Sequence, residues 1–168
     1  MITATNANDL LNYVIARIKA SLDANAWLKA GGTGGIKTVY TRVADIDETD
    51  HMTRDALPAY YISATGTQQP DEPSGFGAYD RSVACQIQYM CQSADQATAE
   101  ATGRTVISRL DRWLQQQKVS GGNLDGLLED GQVFDADTDM EIEITADKYY
   151  YTSAALTFTL SLRIKQAG

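Results

Sequence analysis

The C-terminal segment constrains the fold more than any other part of the chain. Ala154, Leu156, Phe158, Leu160, Leu162 and Ile164 alternate with Ser153, Thr157, Thr159, Ser161, Arg163 and Lys165. A period of two over this length makes a β-strand with one face in a core and the other turned to water or to a partner. Such a strand belongs in a sheet that is largely antiparallel and covered on one side only. The stretch from Tyr79 repeats the pattern, with Val83, Cys85, Ile87, Tyr89 and Cys91 on one face and Ser82, Ala84, Gln86, Gln88 and Met90 on the other.

Two helical patterns supply a cover for the apolar face. Leu11, Val14, Ile15, Ile18 and Leu22 recur at steps of three and four, with Asn6 or Asn8 placed to cap the start. Ala99, Gly103, Val106, Leu110, Trp113 and Gln117 define a second helix, for which Ser93 and Gln96 read as a capping box. Its first half is small and its second bulky, so its N-terminal half can approach the sheet closely. Strands are predicted over 36–43, from Leu57 to about Thr65, from Tyr79 to Cys91, over 133–145 and from Tyr149 to Ile164. The order α-β-β-β-α-β-β predicts an α+β domain over 1–168, with two helices on one face of a mainly antiparallel sheet of about five strands. A chain of 168 residues fits a single domain of this kind.

Several segments imitate chemical motifs and then depart from them. Gly31 to Thr38 reads G-G-T-G-G-I-K-T, but Ile36 replaces the last glycine of a phosphate loop, and a strand follows where a helix should. A flexible joint is expected there. Asp135, Asp137 and Asp139 resemble the opening of a calcium loop, but Met140 stands at the turn glycine and Ala146 at the bidentate glutamate. An acidic turn leading into a strand is the expectation. His51 lies among Asp45, Asp47, Glu48, Asp50 and Asp55, a composition suited to a solvated loop. Nucleophile-elbow, zinc-protease and redox-cysteine signatures are absent from the sequence, so no catalytic residue, cofactor or metal is assigned.

Cys85 and Cys91 are six residues apart on one strand, roughly 20 Å, which is too far for a disulfide. The opening residues show no basic start before an apolar core, and no apolar run approaches the ~20 residues of a membrane span. A cytosolic site of synthesis and no membrane partner are therefore expected. The 14 Lys and Arg against 22 Asp and Glu give a net charge of -8, which repels phosphate and argues against tight nucleic-acid binding.

With the opening helix, the early strand Leu57-Pro58-Ala59-Tyr60-Tyr61-Ile62, the run from Tyr79 to Cys91 into helix 93–117, and the closing strand Tyr149 to Ile164 after an acidic one, the chain resembles the tail terminator or tail completion (minor tail) proteins of long-tailed bacteriophages. The resemblance implies a non-enzymatic virion protein located at the head-proximal end of the tail and assembled in the host cytoplasm. It would form a ring with itself, commonly a hexamer, that stops tube polymerisation. Its implied partners are the tail tube protein and the head-tail connector or neck protein, with DNA passing through but not tightly bound. A head-completion or neck role in the same virion is the alternative, and a small-molecule or enzymatic domain using the His51 loop is a further one. Subunit or partner contacts are expected at Pro70, Phe76 and Tyr79, in and beside the long Gly66 to Ala78 segment, and at Tyr149 and Tyr151 of the last strand.

Overall fold

The structure, a computed structural model, describes residues 2–4, 7–43, 56–68, 78–119, 122–129 and 131–166. Six strands and two helices follow in the order β1 (Ile2–Ala4), α1 (Ala7–Asp23), β2 (Thr38–Val43), β3 (Ala59–Gln68), β4 (Ala78–Ser93), α2 (Gln96–Val119), β5 (Gly131–Ile144) and β6 (Tyr150–Gln166). The α+β expectation is met, with one strand more. β1 pairs in parallel with Ile164–Gln166 of β6, just beyond the point where β5 stops pairing at Leu162.

The sheet runs β2-β3-β4-β6, with β5 and β1 sharing the far side of β6. The pairs β3/β4, β4/β6 and β5/β6 are antiparallel, whereas β2 runs parallel to β3, with Thr38 opposite Ala59 and Val43 opposite Ala64. Both helices lie on one face, α1 over β2 and β3 and α2 over β4, β5 and β6. One core joins Leu10, Val14, Ile18 and Leu22 of α1 and Val106, Leu110 and Trp113 of α2 to the inward residues of β3, β4 and β6.

The close approach expected of α2 is present. Ala99 and Gly103 are buried against the sheet. A Cβ on Gly103 would fall 2.5 Å from Met140 Sδ and 2.9 Å from Thr152 Cγ2. At the same crossing the buried Thr152 hydroxyl donates to the Ala99 carbonyl at 3.4 Å. The cap differs from the expected Ser93/Gln96 box. Asp95 Oδ2 accepts from the Thr98 backbone N–H and from its hydroxyl, both at 2.8 Å, and these bonds hold the Asp95 carboxyl below its ordinary range. Ser93 Oγ accepts from Asp95 N–H instead.

Two further expectations are corrected. The glycine segment is a hydrogen-bonded turn and not a loose joint. The N–H groups of Gly31, Gly32, Thr33, Gly34 and Gly35 donate to Ile36, Lys29, Ala26, Trp27 and Gly32 carbonyls respectively. Gly31 and Gly35 both sit at φ +72°, which glycine adopts without strain. With its N–H groups used internally, the segment offers no cradle for a phosphate. The acidic run is not a turn either. β5 passes straight through it, absorbing Asp135 and Ala136 as a bulge between the pairs Phe134/Thr159 and Asp137/Thr157, with Asp135 at φ 48°.

The β5–β6 hairpin closes on a turn at 145–148, in which Lys148 N–H donates to Thr145 O at 2.9 Å and Thr145 N–H to Tyr149 O at 2.8 Å. Lys148 then takes φ 61°, the left-handed position that such hairpins usually give to glycine. Lys148→Gly is therefore expected to stabilise the protein by roughly 1 kcal/mol. Denaturant midpoints at unchanged slope test this, and a midpoint at or below that of the parent would show that lysine bears no cost there.

Candidate functional site

No described helix or strand covers the second face of the sheet, and alternation assigns its residues. Facing out are Tyr40 of β2, Ala59, Tyr61 and Ser63 of β3, Ala84, Gln86, Gln88 and Met90 of β4, and Tyr151 through Ser161 at odd positions of β6. Register with β6 adds Asp137, Asp139, Glu141 and Glu143, opposite Thr157, Ala155, Ser153 and Tyr151.

This face has three chemically distinct parts. At one end Leu57, Ala59 and Met90 form a small buried cluster with Tyr40, Tyr61 and Tyr151 packed against it. Burial, then Cys91 and then Glu143 raise the Tyr151 phenol above its ordinary value. Across the middle the surface is polar, tied by a hydrogen bond of 2.7 Å from Gln88 Nε2 to Ser153 Oγ. It ends on the acidic row of β5, whose members are all exposed.

Of the residues expected at an interface, Tyr151 belongs to the tyrosine cluster on this face. Tyr149 is half-buried just before β6, where its backbone closes the hairpin turn. Tyr79 lies in β4 with its backbone opposite Ile164. Pro70 and Phe76 lie outside the described residues, as does His51 with its acidic neighbours. Tyr40, Tyr61 and the row Asp137, Asp139, Glu141 and Glu143 were not singled out from the sequence as contact residues. The alternate spacing of those acids is the signal that could have marked them.

Cys85 and Cys91 are free and buried on the core face, and burial pushes both thiols up, which makes them inert. Among the described residues no group of three or more His, Cys, Asp or Glu side chains could hold a metal ion. No described helix is long and apolar enough to cross a membrane.

On the helix side, α2 and the turn after α1 enclose a cleft of about 230 Å³ lined by Asn25, Leu28, Arg109, Arg112, Trp113 and Gln116. Asn25 Oδ1 accepts from the backbone N–H groups of Trp27 and Leu28 at 3.0 and 3.2 Å and so shapes one wall. The loop after α2 lies near α1, with Asp125 bonded to Arg17 at 2.8 Å and Leu124 buried at φ 49°.

No protein-family model matches the chain, and no curated protein does. Among solved structures, a chain of the virion of a native gene transfer agent particle is similar, at 15% identity over 94% of this chain and 99% of that one. The TM-score is 0.39, and a likeness at that level carries no weight for function.

Proposed function

We propose that the chain is a structural virion protein of a long-tailed bacteriophage, a tail terminator that closes into a ring, most simply a hexamer, on the head-proximal end of the tail tube. The observation that carries this reading is the sheet face opposite both helices, polar across its middle on β4 and β6 and covered by no described helix or strand. A wall of that character can line a passage through which DNA slides, because it offers phosphates hydrogen-bonding groups but no concentrated positive charge. The element order and the phrases that resemble tail terminators support the same reading. Tail tube and head connector are then the partners, with contacts at Pro70, Phe76, Tyr79, Tyr149 and Tyr151.

Electron microscopy of the purified protein, alone and mixed with tail tubes, tests the proposal together with light scattering over a range of concentrations. Rings in solution or density capping tube ends are expected. A chain that stays monomeric and never appears at those ends would remove the reading. The accompanying expectation is weak binding to duplex DNA, and submicromolar affinity at low salt with a steep salt slope would contradict a passive passage.

A further inference from the structure

Arg109 and Arg112 stand one helical turn apart on α2, both exposed and both lining the cleft. In a chain of net charge -8, exposed arginines with no acidic partner among the described residues are unexpected. Arg17, Lys19 and Arg104 each have an acidic partner, Asp125, Asp23 and Glu100 respectively. Among the described residues no carboxylate lies within ion-pairing distance of Arg109 or Arg112. Arg109 is held in place another way, its guanidinium carbon 5.1 Å from the centroid of the Trp27 ring. Stacking occupies the face of a guanidinium and leaves its edge N–H groups for an acceptor. The side-chain amide groups of Asn25 and Gln116 border the same cleft and add further donors. This set of N–H donors suits carboxylate oxygens.

Carboxylates with no cation beside them among the described residues lie on the opposite layer. Asp137, Asp139, Glu141 and Glu143 are exposed along β5, whose outer edge faces no other described strand, and none has an ion pair among the described residues. Asp137 and Asp139 fold back, each accepting from the backbone N–H of the next residue at 2.8 and 2.9 Å. Glu141 and Glu143 are a methylene longer and make no such bond, so they can reach outward. The arginines sit on the helix layer and these glutamates on the open face, so one chain cannot bring them together.

We propose that the cleft at Arg109 and Arg112 receives Glu141 and Glu143 of a second copy of this chain. The contact is heterologous, one surface meeting a different surface of its neighbour, and repetition through a closing rotation makes a ring. It rests on the ring reading above and names the charged contact through which that ring would be joined. Fork-shaped guanidiniums and carboxylates pair by parallel hydrogen bonds, which sets the orientation as well as the attraction.

Charge reversal tests the contact by sedimentation velocity and light scattering at about 50 and 500 mM salt. Arg109→Glu with Arg112→Glu, and separately Glu141→Lys with Glu143→Lys, are each expected to raise the dissociation constant at least about tenfold. Carrying all four substitutions in one chain should return it to within about threefold of the parent. All four side chains are exposed, so melting temperatures should fall by no more than the few degrees that loss of the Arg109–Trp27 stacking accounts for. Should a reversal lower them further, Arg112→Gln and Glu141→Gln are read in its place and should weaken assembly in the same sense. Assembly unchanged by either reversal, failure of the fourfold variant to recover, or a parent that is monomeric throughout would overturn the inference. A dimer that breaks and recovers with these charges keeps the contact and removes the ring, whereas a ring indifferent to them keeps the ring and removes the contact.

Discussion

The protein is expected to lose its stability abruptly above about pH 10. Tyr60 and Tyr89 pack edge to face in the core with ring centroids 5.8 Å apart, and Cys85 is buried on the same face of β4. Burial is the leading cause that raises all three groups, from ordinary values of 10.0 for the phenols and 9.0 for the thiol. The direction of the effect follows from proton counting. Above its ordinary value each group has lost its proton in the unfolded chain but keeps it in the folded one. The folded state then binds more protons, and stability falls as pH rises. The contribution is fully present below about pH 9 and is withdrawn from there upward. Each group withdraws about 1.4 kcal/mol per pH unit, so Tyr60 and Cys85 alone exhaust a typical stability of roughly 5 kcal/mol within about two units. Melting temperatures measured from pH 7 to 12 should be level and then drop steeply. Tyr60→Phe keeps the ring and removes one titrating group, so its decline should be shallower. Equal melting temperatures at pH 8 and 11 would show that these groups are less enclosed than the packing indicates.

Truncating Trp113 should be the most damaging single substitution in the helix layer. The residue is 1% exposed and belongs to the core shared by α1, α2 and the sheet. Trp113→Ala removes a large buried side chain and leaves a cavity that a rigid helix-on-sheet layer cannot close, at a cost of about 3 to 5 kcal/mol. Trp113→Phe retains most of the apolar contact. The indole nitrogen it deletes is buried with no hydrogen-bond partner among the described residues, so its removal gives up no bond. The phenylalanine variant should therefore lose less than half as much. Ile144→Ser, at a position 69% exposed, should shift stability by no more than about 0.5 kcal/mol and serves as the control. Denaturant unfolding of the three variants decides the matter, and a Trp113→Ala loss below about 1 kcal/mol would mean that the helix layer repacks around the gap.

Much of this architecture could be read along the chain because it rests on local periods. The alternation from Val83 to Cys91 and from Ala154 to Ile164 put the same residues inward that the sheet buries, and the steps through Leu22 and Trp113 located both helices. Local chemistry misled where two assignments were physically close. Asp135, Asp137 and Asp139 have low strand propensity and read as a turn, yet β6 offers them a continuous pairing template, and one bulge accommodates the misfit. The helix cap was displaced from Ser93 to Asp95 because Ser93 is still paired as the last residue of β4, opposite Tyr150.

The sequence by itself determined both helices, the five longer strands, their faces and the charge of the β5 row, since each depends on residues within a few positions of one another. Only the tertiary structure decided the rest. The three residues of β1 are too few to carry a period and become a strand because β6 runs past the end of β5 and leaves backbone groups to pair. The parallel match of β2 to β3 depends on where the chain returns after residue 55, which no local pattern encodes. The cleft joins Asn25 and Leu28 to Arg109, Arg112, Trp113 and Gln116. Those two groups lie more than eighty residues apart in sequence, and they meet only because both helices must cover the same apolar face.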